Sequence, residues 1–161
     1  MEISSIIGPA CFIAASFLAA LTGAWFRPGD WYERLKKPSW RPPNRIFAPV
    51  WTVLYLMIAT AGWLVWREAG FANAGVPMAV YALQLFLNAA WTPLFFGLHR
   101  PDLGFVDIVL LWLSIIATIL VFYPINLGAA LLLLPYLAWV TLAAALNFAV
   151  WRLNSAPSPR A

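Results

Sequence analysis

The residues of this chain best suited to chemistry are aromatic rings and uncharged amides at helical spacing. Trp51 and Tyr55 are four residues apart, so they share one face of any helix that contains them. Two further stripes have spacings of three and four residues; they comprise Gln84, Asn88, Trp91 and Thr92, and Trp139, Ala143, Leu146 and Asn147. Flat aromatic walls with a few amides are typical of a pocket for a large, planar, hydrophobic molecule.

The amides on these stripes have two interpretations. A buried amide in an apolar environment must hydrogen-bond, either to another helix or to a ligand. Gln84, Asn88 and Asn147 are therefore candidates for interhelical bonds as well as for ligand contacts. The sequence leaves both alternatives open.

The charged and nucleophilic residues argue against conventional catalysis. Cys11 is the only cysteine, which excludes a disulfide within the chain and a thiolate metal cluster. His99, the only histidine, falls in a predicted loop, and Asp107 lies about one turn into a predicted helix, where the helix dipole favours a carboxylate. We find no nucleophile–base–acid set and no phosphate-binding loop. We therefore expect no conventional enzyme, no metal site and no required cofactor.

One segment carries most of the charge. Residues 25–55 contain four of the ten tryptophans, five of the thirteen prolines and six of the ten Lys and Arg residues. Its basic part, residues 27–45, is called loop 1 below. Arginines beside an aromatic pocket suit a ligand with carboxylates at one end, such as a tetrapyrrole with propionates. The alternative is that these charges set membrane topology and attract anionic lipids; the two interpretations are compatible.

The composition defines the elements that must position these residues. The chain of 161 residues is 63% hydrophobic and 10% charged, with a mean hydropathy of +0.81, whereas soluble domains carry about 25% charged residues. Five apolar runs of membrane-spanning length predict helices at about 6–26, 46–66, 77–98, 103–123 and 127–151. Pro93 predicts a kink late in the third helix.

The predicted fold is therefore an all-α integral membrane bundle of five helices. It forms a single domain over residues 1–153, followed by a short polar tail, residues 154–161, which we expect to be disordered. The first apolar run is expected to be a retained membrane helix, because no basic residue precedes it and it is long for a signal peptide.

The distribution of cations predicts the orientation. Nine of the ten Lys and Arg residues fall in loop 1, in the third loop and at the C-terminal end, and only Arg67 falls on the other side. The positive-inside rule then predicts that loop 1 and the C-terminus face the cytoplasm. The N-terminus has no Arg-rich presequence, which favours a bacterial source. We therefore expect a multi-pass protein of a bacterial envelope, in contact with membrane lipids and with no nucleic-acid partner.

Several motifs resemble those of a known family. Loop 1 carries W-Y-x-x-L-x-K-P-x-W-x-P-P over Trp31–Pro43, and the second predicted helix opens with F-x-P-V-W-T-x-L-Y over Phe47–Tyr55. N-x-x-W-T-P-x-F-F-G follows at Asn88–Gly97, then P-Y-L-x-W at Pro135–Trp139 and L-N-F-x-x-x-R at Leu146–Arg152. In this order, over about residues 20–153, they resemble the translocator protein family (TspO/MBR, the tryptophan-rich sensory proteins).

The resemblance implies a five-helix bundle with a ligand cavity beneath loop 1. Members of the family bind porphyrins, some bind sterols, isoquinoline carboxamides or benzodiazepines, and homodimers are common. Together with Asn147, which shares the stripe of Trp139, the residues carried over by motif form the predicted ligand-binding set. The set comprises Trp51, Tyr55, Asn88, Trp91, Trp139, Ala143 and Asn147 in the pocket, and Trp31, Tyr32 and Trp40 in a lid formed by loop 1.

The resulting hypothesis is a membrane protein that binds a protoporphyrin-type tetrapyrrole and acts in tetrapyrrole regulation, sensing or transport. One alternative is light-dependent oxidative porphyrin degradation, as in some bacterial members, with Trp51 and Trp139 as candidate electron donors. Others are a sterol- or lipid-binding transporter and a structural subunit without a small ligand. The chain shows no internal repeat, which argues against an inverted-repeat transporter. Phe148 occupies the tyrosine position of the sterol-recognition pattern that ends at Arg152, which argues against high sterol affinity.

Overall fold

A computed structural model describes residues 4–155 as a bundle of α-helices. The helices are α1 (Ser4–Trp25), α2 (Asp30–Arg34), α3 (Phe47–Asn73), α4 (Gly75–Thr92), α5 (Pro101–Phe122), α6 (Leu127–Leu132) and α7 (Leu134–Ser155). A 3-10 turn at Asn44–Ile46 leads into α3, and a π-helical turn at Pro93–Gly97 continues α4. Five segments are long and apolar enough to cross a membrane: Ile6–Trp25, Asn44–Gly70, Gly75–Gly97, Pro101–Phe122 and Leu127–Ser155. The prediction of an all-α bundle with five membrane helices is confirmed.

The distribution of polar and apolar side chains matches an apolar solvent. Leu18, Phe86 and Leu120 are each about two-thirds exposed on the outer surface. Gln84 and Asn147, in contrast, are almost completely buried between helices. A soluble domain shows the reverse pattern, whereas lipid requires polar groups to be satisfied inside the bundle. The protein is an integral membrane protein.

The half of the bundle opposite loop 1 is tightly packed. In this half α1 lies against α3 and α4, and α6 fills the space beside α3 and α5. Gly62 allows the closest approach, since a Cβ there would lie 2.6 Å from the Cζ of Tyr81. The Tyr81 hydroxyl donates to the carbonyl of Ile58 (3.0 Å), and its ring stacks on Phe122. The open part of the bundle lies next to loop 1.

Prolines and a glycine explain where the helices depart from the predicted limits. α3 continues to Asn73, and its regular geometry ends at Gly70, whose φ of +69° is readily adopted only by glycine. The last predicted helix is divided into α6 and α7 at Leu133. Pro135 causes this break, because proline lacks an N–H and clashes with the carbonyl four residues earlier. The predicted irregularity at Pro93 is the start of the π-helical turn.

The C-terminal end of α7 also differs from the prediction. The sequence predicts that the disordered tail begins at Asn154, but Asn154 and Ser155 both belong to α7. The side chain of Asn154 makes three hydrogen bonds, two of them to Lys36 in loop 1. A fixed side chain of this kind extends the helix beyond the last apolar residue. The rest of the predicted tail, residues 156–161, lies outside the described residues.

Loop 1, the turn between α4 and α5 and the end of α7 meet at one end of the bundle. Trp31 in α2 stacks on His99 in the α4–α5 turn, and Lys36 is bonded to Asn154. The cations gathered at this end are Arg27, Arg34, Lys36, Lys37, Arg41, Arg45, Arg100 and Arg152. The assignment of this basic end to the cytoplasm remains a prediction from charge.

Candidate functional site

A cavity of about 640 Å³ lies beneath loop 1, between α1, α3, α4, α5 and α7. Its volume falls within the range of about 300–1,000 Å³ that is typical of small-molecule sites. The members of the predicted ligand-binding set that line it are Tyr32, Trp51, Tyr55, Asn88, Trp91, Trp139, Ala143 and Asn147. The structure thus brings eight of the ten predicted residues to one cavity; Trp31 and Trp40 do not line it.

Aromatic rings from α3 and α7 together form one wall of the cavity. On α3, Trp51 lies 5.5 Å from Tyr55, measured between ring centroids. On α7, the ring of Trp139 contacts Phe47 of α3 edge-on at 5.5 Å. Because these rings pack against each other, their faces are fixed before any ligand enters. Rigid aromatic walls of this kind suit a flat ligand, since stacked and edge-on arrangements of aromatic rings are favourable.

The side chain of Asn88 joins three helices at the base of the cavity. Its Oδ1 accepts a hydrogen bond from the Tyr55 hydroxyl (2.7 Å), and its Nδ2 donates to the Tyr136 hydroxyl (2.8 Å). Tyr136 in turn donates to Oε1 of Gln84 (2.9 Å). Both sides of the Asn88 amide are therefore bonded to protein groups. Of the two interpretations of this amide, the structure favours the interhelical one.

Asn147 has a similar role nearer to loop 1. It accepts a hydrogen bond from Nε1 of Trp91 (2.9 Å), and its Nδ2 donates to the carbonyl of Pro101 (2.8 Å). Trp91 also stacks on Phe95 at 4.9 Å. Asn147 therefore connects α7 to α4 and to the first turn of α5, and it fixes the Trp91 ring in the cavity wall.

Few polar groups remain available to a ligand. The indole N–H of Trp139 is buried and has no hydrogen-bond partner among residues 4–155. At the mouth, Arg27 uses Nε to cap α1 by donating to the carbonyl of Ala24 (3.0 Å). Arg27 is exposed and, like the exposed Asn44, lines the cavity, which places both at its rim. The cavity therefore has an apolar interior, a donor in one wall and a positive charge at its entrance.

Loop 1 covers the cavity through α2. Tyr32 is buried, lines the cavity, and contacts Phe95 and Phe96 edge-on. Trp31 lies outside the cavity, stacked on His99 with ring centroids 4.3 Å apart. Trp40 is half-exposed and likewise lies outside. Of the three residues predicted to form the lid, only Tyr32 lines the cavity. Trp31 instead connects α2 to the turn between α4 and α5 through its contact with His99.

Sequence reasoning missed the contribution of α1. This helix supplies Phe17, Ala20, Gly23 and Ala24 to the cavity. Their spacing of three and four residues is a helical stripe, but α1 is apolar on every side, so nothing distinguished this face. Phe95 and Phe96 were also missed, although both lie within the motif that contains Trp91.

Asp107 lies outside the cavity lining, buried in α5 with 6% of its surface exposed. Its Oδ2 has no hydrogen-bond partner in the described part of the chain. Across residues 4–155, no three His, Cys, Asp or Glu side chains are grouped in a way that could hold a metal ion. The aromatic lining of the cavity suits an apolar organic molecule.

Comparisons with known proteins agree with this arrangement. The model of the TspO/MBR family matches residues 11–152. The chain is 44% identical to protein CrtK of Rhodobacter capsulatus over 154 residues, which cover 93% of this chain and 94% of that protein. It is 40% identical to the tryptophan-rich sensory protein of Cereibacter sphaeroides (93% and 94% covered). It is also 40% identical to the human translocator protein (89% and 88% covered). From its helices, its tryptophan-lined cavity and these matches, the chain belongs to the TspO/MBR family.

Proposed function

We propose that this protein binds a porphyrin-type tetrapyrrole in the cavity beneath loop 1 and acts in tetrapyrrole sensing or transport. Relatives named tryptophan-rich sensory protein and translocator protein support a role of this kind. The ligand would lie against the aromatic wall formed by α3 and α7, with its carboxylates at the basic end of the bundle. No other cofactor is needed for this function.

The observation that carries the proposal is the combination of a flat aromatic interior with a cationic rim. Trp51 and Trp139 line one cavity, and the exposed Arg27 lines it as well. A planar macrocycle with acidic substituents on one edge matches both features, since aromatic faces favour ring stacking and guanidinium favours carboxylate. The unpartnered N–H of Trp139 offers a hydrogen bond to a ligand acceptor.

A protoporphyrin titration tests the proposal. The purified protein in detergent micelles is titrated in the dark, and quenching of tryptophan fluorescence is followed. We expect saturable quenching at micromolar ligand and an affinity about tenfold weaker in the double variant Trp51→Phe/Trp139→Phe, because each substitution removes part of a stacking surface. Trp112→Phe is the matched control, since Trp112 lies on the outer face between α5 and α7 and donates to Thr141.

Two outcomes would contradict the proposal. Quenching that rises without saturation would mean that protoporphyrin only partitions into the micelle. Equal affinities for the double variant and the Trp112→Phe control would place binding outside this cavity. In either case, a sterol or another lipid would become the leading ligand class, to be tested in the same titration.

The position of Trp51 favours a second candidate function, light-dependent oxidation of bound porphyrin. Trp51 lines the cavity within 5.5 Å of Tyr55, and Tyr55 donates to Asn88. An excited porphyrin can take an electron from a neighbouring tryptophan and pass it to O2 from the air, which gives superoxide. The tryptophan radical cation then takes an electron from the porphyrin, so that O2 is the net oxidant and the porphyrin is oxidised. Illumination in air should then convert bound porphyrin to a new product in wild-type protein, and more slowly in Trp51→Phe. Bleaching at the rate seen for porphyrin in detergent alone would rule this function out.

A homodimer, which the resemblance implies, also remains a proposal. α4 presents Val76, Ala79, Leu83 and Phe86 outward, at the spacing of a continuous helical stripe. Small residues such as Ala79 allow close approach of membrane helices. Light scattering of the micelle-bound protein, compared with that of Ala79→Trp, tests this interface. A monomeric mass for the wild-type protein would contradict it.

A further inference from the structure

Loop 1 contains a compact unit that packs within itself. The Lys37 ammonium lies 4.6 Å from the ring centre of Tyr32 and donates to the carbonyls of Glu33 and Leu35. Arg34 donates to the carbonyl of Asp30, at the start of α2. These contacts hold residues 30–37 together as one unit. The unit can therefore move as a single body relative to the cavity, which Tyr32 lines.

The unit is joined to the rest of the bundle by one hydrogen-bonded anchor. Oδ1 of Asn154 accepts from the backbone N–H of Lys36 (3.0 Å), and Nδ2 of Asn154 donates to the carbonyl of Lys36 (2.9 Å). Within residues 4–155, these are the only hydrogen bonds between residues 28–43 and the helices of the bundle. The other contacts are apolar: Trp31 stacks on His99, Tyr32 contacts Phe95 and Phe96, and Leu35 packs against the cluster that contains Leu146 and Val150. An amide is required for this anchor because it both donates and accepts.

The anchor is connected to the cavity wall. Nδ2 of Asn154 also donates to the carbonyl of Val150, one turn earlier in α7 (2.7 Å). Val150 lines the cavity, as do Asn147 and Ala143, which precede it in the same helix. A shift of α7 caused by a ligand would therefore be transmitted directly to the side chain that holds loop 1.

We propose that Asn154 is a latch that holds loop 1 closed and sets the rate at which ligand enters and leaves the cavity. Asn154 is a positioning residue in this proposal, since it does not itself line the cavity. Because Tyr32 is buried and lines the cavity from α2, a rigid macrocycle that enters beneath loop 1 has to displace residues 30–37. The kinetic part of the proposal rests on the proposed ligand site, whereas the latch itself can be tested without any ligand.

Hydrogen exchange at the Lys36 amide tests the latch directly. In the full-length, ligand-free protein in micelles, we expect Asn154→Ala to accelerate exchange of this amide by about tenfold, because two neutral hydrogen bonds are lost. Asn73→Ala is the matched control, since Asn73 donates to the carbonyl four residues earlier at the opposite end of the bundle. Asn154→Asp keeps the acceptor for the Lys36 N–H and should restore part of the protection. Equal exchange rates in wild type and Asn154→Ala would overturn the latch.

Stopped-flow mixing with protoporphyrin tests its consequence. If the latch controls opening, association and dissociation in Asn154→Ala should both be faster by about tenfold, and the equilibrium affinity should stay within about twofold. A weaker affinity with an unchanged association rate would indicate a merely structural role and would refute the kinetic proposal. Failure of the wild-type protein to bind protoporphyrin would refute the proposed ligand, while the exchange result would still decide whether Asn154 holds loop 1.

Discussion

Replacing Asn88 with leucine should destabilise the bundle through the two tyrosines that it joins. Leucine is close in size to asparagine, so the substitution removes hydrogen bonds with little change in packing. Tyr55 then loses its acceptor, and Tyr136 loses the donor at its hydroxyl. An interhelical hydrogen bond in a membrane contributes about 0.6 kcal/mol on average and up to about 1.7 kcal/mol. For the two lost bonds we expect the free energy of unfolding to fall by about 1–3 kcal/mol.

The assay is reversible unfolding in mixed micelles, in which a denaturing detergent is titrated and helicity is followed by circular dichroism. Tyr55→Phe and the double variant Tyr55→Phe/Asn88→Leu complete a double-mutant cycle, which isolates the energy of the pair. In the Tyr55→Phe background, Asn88→Leu no longer strands the Tyr55 hydroxyl. The cost of Asn88→Leu should therefore be smaller there by about 1 kcal/mol.

Additive effects would refute this reasoning. If the double variant loses the sum of the two single losses within about 0.3 kcal/mol, the two side chains are not coupled. A loss below about 0.5 kcal/mol for Asn88→Leu alone would mean that water or another group replaces the missing amide. Either result would contradict the interhelical interpretation of Asn88 and would favour contact of its amide with a ligand.

Three further predictions concern the cavity and its support. Arg27→Gln should weaken protoporphyrin binding by about threefold, as expected for an exposed charge pair, and should leave binding of its dimethyl ester unchanged in the same fluorescence titration. Ala143→Phe should fill part of the cavity and lower protoporphyrin affinity at least about tenfold, because inserting a large side chain displaces ligand volume; an unchanged affinity would place the ligand elsewhere. Gly104→Val should lower the melting temperature, because a Cβ there would lie 3.0 Å from Oδ1 of Asn147, with a cost of about 1–3 kcal/mol. Gly75→Val is its control, since the space around that position is open.

The sequence was sufficient to predict the membrane helices and most of the cavity. Long apolar runs need a bilayer, and polar residues on those runs had to point inward. Asn88, Trp91 and Asn147 were found in this way. The partners of the two amides were not predictable, because a spacing of three or four residues identifies a face and does not identify what that face meets. The structure shows that both amides bond to other helices.

Long-range contacts account for the rest of what was missed. Asn154 and Lys36 are separated by 118 residues, and nothing in the polar composition near Asn154 indicates a partner in loop 1. α1 carries no charged residue and no amide, so its cavity face could not be told from its lipid face. Trp31 belongs to a motif that implies a lid, but its contact with His99 depends on the turn between α4 and α5. Each of these features depends on how helices are placed relative to one another.

The use of polar atoms in the cavity indicates how it should select ligands. The Tyr55 hydroxyl, both sides of the Asn88 amide and the Trp91 N–H are all bonded to protein groups. Most hydrogen-bonding groups of the cavity wall are therefore already bonded to other protein groups. Recognition of a ligand then depends mainly on contact with aromatic faces, which accept many ring systems. Discrimination between planar ligands of similar size should then come from the charge at Arg27 and from the opening of loop 1. Under the proposed function, such a cavity should accept several related macrocycles rather than one exact substrate, as expected of a sensor for a class of compounds.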